Sequence, residues 1–191
     1  TIDEVEANVG PGLPRIQIVG LADTAISESR DRMKTAVANS QLHWPKTKVV
    51  VSLSPASMPK AGSHFDVAMC LAILTASSTD PLVRQRLSET VLLGEVGLDG
   101  SLRPVAGVLP VLMAARRAGL RRVIVPQGNA AEAALIDVPV EQKSGTPPLS
   151  VLAARSLAQI MGWVNDLVEL PSAVSIAEAQ GTGASESAEV R

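Results

Sequence analysis

The sequence holds a single cysteine, Cys70, so no disulfide can close within the chain and nothing in its composition points to an oxidising compartment. Tyrosine is absent and aromatic residues make up only 2% of the chain, which removes the stacking platforms on which single-strand nucleic-acid binders depend. The formal net charge is −2 with both signs interspersed, so the chain has no long-range field with which to capture nucleic acid unaided. Long apolar runs are missing too. The longest, Val67 to Ala76, is half of the roughly 20 residues needed to cross a bilayer and has no charged segment before it. It reads as a buried helix, no membrane partner is expected, and the cytoplasm is the expected location. No Gly-Lys pair occurs, so the cradle and lysine of a P-loop are absent. His43, His64 and Cys70 form no spaced cluster, which argues against zinc, and no metal or cofactor is expected on these residues. The glycines of Gly94-Glu-Val-Gly97-Leu-Asp-Gly100 lack the strand-to-helix setting of a dinucleotide site and read as hairpin punctuation.

What is present is the balance of a globular protein: 46% hydrophobic and 19% charged residues over 191 positions, ample for one core. Ile2 to Val9 alternates, and Arg15 to Gly20 alternates and reads as a strand, with Asp23 placed to cap a helix from Thr24 to about Ser40. Lys48 to Leu53 reads as a strand buried on both faces. Thr90 to Val96 and Ser101 to Val105 predict a hairpin about a primed Asp99-Gly100 turn. Gly107 opens a helix that Gly119 closes, Arg122 to Val125 is a strand, Ala130 to Leu135 a short helix and Leu149 to Ala153 a last strand. Ser156 to Gln159 matches a capping box that starts a helix running to about Leu167. After Leu170 the residues turn small and polar without an apolar period, so 171–191 is expected to be a linker following a domain over 1–170. The chain opens at Thr1 without methionine, as a cut piece would, and its first strand is expected to be truncated.

The segment Ser54 to Asp66, SPASMPKAGSHFD, must be a loop between buried elements, where sites usually sit. Asp66 is expected to cap the apolar helix, and His64 to be an ordinary loop residue. Arg116, Arg117, Arg121 and Arg122 cluster around a helix end, where they either complement the helix dipole or contact phosphates.

Three segments carry a resemblance: GLPRIQIVGLADTAISESRDRMKTAVANS, VVVSLSPASMPKAGSHFDVAMCLAIL and LLGEVGLDGSLRPVAGVLPVLMAARRAGLRRVIVPQGNAAEA. Together they closely resemble the N-terminal domain of the ComM/YifB family of magnesium-chelatase-like AAA+ ATPases, in order, up to about Leu167. The resemblance implies an α/β fold, a mixed sheet packed by helices, like the proteolytic domain of Lon protease and the second domain of a small-subunit ribosomal protein. It also implies an AAA+ motor beyond the linker, supplied with ATP and magnesium, hexameric, and acting on DNA by branch migration in natural transformation. The domain's own partners would then be that motor and the neighbouring subunits.

Lon-type domains can be peptidases with a Ser-Lys dyad. Carrying the Lon pattern over through Pro59, Lys60, Gly62 and Met69 puts His64 where the serine should be. Through Gly100, Pro104 and Gly107, the lysine position falls on Leu109. A shifted register makes Ser63 the nucleophile, but no lysine lies between Lys60 and Lys143, and an arginine does not give up its proton near neutral pH. The expectation is a non-catalytic accessory domain. The alternatives are a cryptic peptidase using Ser63 and Lys60, and a direct DNA-binding module using the arginine cluster.

Overall fold

In the computed structural model, which describes residues 2–55, 62–136 and 148–186, the strands divide between two three-stranded sheets and a short ribbon. β1 (Glu4–Gly10) runs antiparallel to β3 (Lys48–Ser54), and β2 (Arg15–Val19) lies parallel to the other side of β3. Val49, Val51 and Leu53 of β3 are fully buried while the residues between them are half-buried. The strand therefore buries one face completely and not both.

α1 (Asp23–Asn39) turns Met33, Ala36 and Val37 into this first core at helical spacing. Asp23 does not cap it: Ala22 holds that position, and Asp23 sits in the first turn, where its charge still complements the positive helix end. α2 (Asp66–Thr75) is the expected apolar helix. α3 (Pro81–Ser88) was missed by the sequence reading, although Asp80 accepts a hydrogen bond from the Leu82 amide at 2.9 Å and Pro81 occupies the first turn, both legible start signals.

β4 (Thr90–Leu92) does not enter the expected hairpin. It pairs in parallel with β7 (Arg122–Pro126), whose other neighbour is β8 (Ser150–Ala154). Only β5 (Glu95–Val96) and β6 (Leu102–Arg103) form a hairpin. Its turn is not primed: the Gly100 amide donates to the Gly97 carbonyl at 2.9 Å, and only Gly100, at φ 86°, is left-handed. A type I turn with a bulge at the glycine results. It seats against the end of α1, where a Cβ at Gly100 would overlap the Ser40 hydroxyl.

β7 separates two cores. Ile124 points into the first, while Val123 and Val125 point into a second shared with α4 (Val108–Arg117) and α5 (Ala130–Ala134), so this strand is the one buried on both faces. α6 (Leu157–Val164) ends short of Leu167 because Asn165 takes the C-cap and Asp166 turns left-handed. Ser156 caps it as expected, accepting from the Gln159 amide, but the Gln159 side chain accepts from Arg155 and not from Ser156. The stretch expected to be a linker carries α7 (Ala173–Glu186), whose Ala173 lies in the second core with Ile176 packed against it. No helix among the described residues is long and apolar enough to cross a membrane.

Candidate functional site

Asp66 is not an exposed cap. Phe65 holds the cap position, and Asp66 is the first residue of α2 with no solvent exposure. Arg32 of α1 grips it in bidentate fashion, Nε to Oδ2 at 2.8 Å and Nη2 to Oδ1 at 2.9 Å. Oδ1 also accepts from the Ser29 hydroxyl at 3.4 Å, and Oδ2 from the Val96 amide at 3.3 Å. One carboxylate thus ties together α1, α2 and β5. Burial pushes the Asp66 carboxyl above its ordinary range and the guanidinium pulls it back. The same hydrogen bonding raises the affinity of Arg32 for its proton. Sequence reasoning missed this pair, since its members lie 34 residues apart and only packing joins them.

Beside the pair opens a polar cleft of about 280 Å³, lined by Glu28, Ser29, Arg32, Ser63 and Glu95 among others. The Ser63 hydroxyl donates to the Glu95 carboxylate. A carboxylate accepts such a bond but is a poor base toward a hydroxyl, whose activation calls for a stronger base beside it. Lys60, the other half of the cryptic dyad, lies outside the described residues. His64 points elsewhere: its ring packs on Phe65 at a centroid distance of 4.1 Å and lines a separate, larger groove, while its carbonyl accepts from the Gly94 amide. Leu109, partly buried, packs against the second core. The two positions that the resemblance aligned with a Lon dyad therefore sit in different surroundings, one beside a groove and one in hydrocarbon.

Burial lowers the pKa of His64 below its ordinary 6.5, outweighing the pull of Asp3 and Asp66. The folded protein then binds fewer protons here than the unfolded chain, so the neutral ring's contribution to stability is complete above pH 6.5. It is lost as the pH falls through the folded value. We expect the midpoint of unfolding to decline between pH 7 and 5 less steeply in His64→Gln than in the parent, as followed by circular dichroism; parallel curves would contradict this.

The arginine cluster is largely spoken for. Arg116 donates to the Ile136 carbonyl at 3.2 Å. Arg121 and Arg122 both reach Glu89, at 3.7 and 3.5 Å. Arg122 and Arg86 also lie over Trp163, at 5.3 and 5.4 Å from its ring centre, an arrangement that holds β7 and α3 against α6. Arg117 alone of the four is exposed without such a use among the described residues. No group of three or more acidic, histidine or cysteine side chains able to hold a metal occurs among them either.

One mixed and one parallel three-stranded sheet layered with helices make this a mixed α/β domain. The sequence matches the family described as subunit ChlI of Mg-chelatase over residues 5–129, and the chain belongs to that family. Within it the chain falls in the ComM/YifB group of magnesium-chelatase-like AAA+ ATPases, matching their N-terminal domain. It is 40% identical to an uncharacterized protein of Mycobacterium tuberculosis (strain ATCC 25618 / H37Rv) over 99% of this chain and 35% of that protein. It is 38% identical to the uncharacterized protein YifB of Escherichia coli (strain K12) over 70% of this chain and 26% of that protein. Identity to the competence protein ComM of Haemophilus influenzae is 31%, over 90% of this chain and 31% of that protein. The likeness extends to Lon protease 4 of Sorangium cellulosum, at 27% over 94% of this chain and 21% of the protease. The chain thus spans about a third or less of the length of each of these relatives.

Proposed function

We propose that this chain is a non-catalytic accessory domain of a cytoplasmic, magnesium-chelatase-like AAA+ ATPase that remodels DNA, and that it acts in assembling or regulating the motor. ATP, magnesium and most of the DNA contact belong to that motor, which works as a hexamer. The observation that carries the reading is the partner of Ser63: its hydroxyl donates to the Glu95 carboxylate, and no lysine is among the described residues that line its cleft. The positions aligned with the dyad, His64 and Leu109, offer no substitute, because the histidine faces a different space and the leucine has no titratable group. A direct DNA-binding role draws little support from an arginine cluster engaged with Glu89, Trp163 and a backbone carbonyl.

The test uses the complete protein. A fluorophosphonate probe is expected to label it at background level, with no difference between parent and Ser63→Ala. DNA-stimulated ATP hydrolysis is expected to be unchanged in Ser63→Ala and to fall at least fivefold when residues 2–170 are deleted. Labelling that disappears with Ser63 would make the domain a peptidase, and a deletion without effect would remove the accessory role.

A further inference from the structure

Charge is unevenly placed along this chain. No aspartate or glutamate occurs between Glu6 and Asp23 or between Asp31 and Asp66, and these two segments carry Arg15, Lys34, Lys46 and Lys48. The three lysines are all those among the described residues. The fold gathers the four cations at one end of the first sheet. Arg15 and Lys48 are partners in the register of β2 and β3. A Cβ at Gly12 would stand 3.5 Å from the Cβ of Lys48, so the loop between β1 and β2 closes on the same spot. Lys46 lies two residues before Lys48, and the Lys34 ammonium of α1 sits 5.9 Å from the ring centre of Trp44, two residues earlier again. Arg15, Lys34 and Lys46 are exposed and Lys48 half-buried, and none of the four is ion-paired among the described residues. Asp31, one turn before Lys34, is met by Arg30 at 3.4 Å. Glu4 and Glu6 lie toward the opposite end of the sheet, in register with Ser54 and Ser52.

We propose that this basic end docks on the phosphate backbone of duplex nucleic acid without reading its sequence. Four unpaired cations in one patch create a local positive potential although the net charge of the chain is −2. Their chemistry favours nucleic acid over a protein surface, whether of this protein or of another. Lysine is depleted from protein–protein interfaces, which depend on a buried aromatic or apolar anchor. Here Trp44 is packed against the first core with Lys34 over its ring, and the loop between β1 and β2 offers only the single large apolar side chain of Leu13. A phosphate backbone needs no such anchor, because its charges recur every few ångströms and flexible lysines meet them in any register. The packing of Trp44 also leaves no aromatic face for unstacked bases, which makes a duplex the fitting form. With four contacts at most, binding is weak, in the range of about 10⁻⁴–10⁻⁶ M typical of non-specific contact at physiological salt. The inference goes beyond the accessory role proposed above, which leaves most of the DNA contact to a motor, and it stands on charge placement alone.

Fluorescence anisotropy of a labelled duplex of about 20 base pairs, titrated with the chain at low salt, tests it. Binding is expected to saturate, and the logarithm of its affinity to fall against the logarithm of salt with a slope of about −3 to −4, as neutralising up to four phosphates requires. A second duplex of unrelated sequence should bind equally well. Lys46→Gln with Lys48→Gln should weaken binding about tenfold, reduce the slope by about 2 and leave the thermal midpoint unchanged, since neither lysine has an ion pair to lose. Arg117→Gln with Arg121→Gln, in the other basic cluster, should change neither affinity nor slope. The proposal is overturned if the duplex does not bind or if the lysine double variant binds as the parent does. It is overturned equally if polyglutamate of the same total charge displaces the chain as well as unlabelled duplex does, because the partner is then an acidic polypeptide. Stronger binding to phosphatidylserine vesicles than to duplex would overturn it in favour of a membrane surface. ATP hydrolysis is not read here, so failure of this inference is distinct from failure of the accessory role.

Discussion

Asp66→Ala is expected to lower the free energy of unfolding by about 3–5 kcal/mol, the range for removing one partner of a buried ion pair. For a chain of this size that corresponds to a fall in the thermal midpoint on the order of 10 °C. The loss is large because the carboxylate serves three donors besides its own helix. Without it the Arg32 guanidinium, less than a quarter exposed, keeps its charge with no counter-ion, and the Val96 amide and Ser29 hydroxyl lose their acceptor. Attraction between the ions is not the main term, since desolvation consumes much of it; what matters is the penalty of a charge left alone. Arg32→Met with Asp66→Leu is therefore expected to be closer to the parent than either single change. Urea unfolding of the four proteins measures the coupling directly, and a loss below about 1 kcal/mol for Asp66→Ala would refute the structural role assigned to the pair.

Gly20→Ala should be comparably damaging for a purely geometric reason. Gly20 joins β2 to α1 at φ 89°, and a Cβ there would lie 2.3 Å from the Leu53 carbonyl oxygen. That oxygen belongs to β3, whose Leu53 is held in register with Val5 of β1, so it cannot retreat without disturbing the sheet. The unfavourable φ costs about 1–3 kcal/mol, and the overlap adds about 1–3 kcal/mol. Gly119→Ala is the control: its φ of 71° is also left-handed, but nothing lies within 4 Å of an added Cβ, so only the conformational cost should appear. Equal losses at the two sites would show that crowding at Leu53 contributes nothing. Because Gly20 sets the entry of α1, its substitution should also displace Ser29 and Arg32 from Asp66.

Much of the architecture was legible locally. A continuous β-branched run marked β3, spacing of apolar residues marked α1, and Gly107 with Gly119 bracketed α4, because each of these signals is written within a few residues of its effect. Elements whose signals were weak or composite were lost. α7 contains Gly181 and Gly183 and no apolar period, and it is anchored by packing of its first turn on the second core. The role of Asp66 was misread for a related reason: a carboxylate before an apolar helix fits a cap, and nothing nearby announces an arginine from another helix.

The order of residues by itself determined the α/β class, the absence of a P-loop, the loop that carries Ser63 and the likeness to Lon-type domains, since all of these follow from local pattern and residue identity. Only the tertiary structure decided that β4 leaves the hairpin for a parallel sheet, that Ser63 meets Glu95, that His64 turns away from it, and that Arg32 closes on Asp66. Those pairings join residues about 30 or more positions apart. Their partners are selected by burial, which no short window of sequence records.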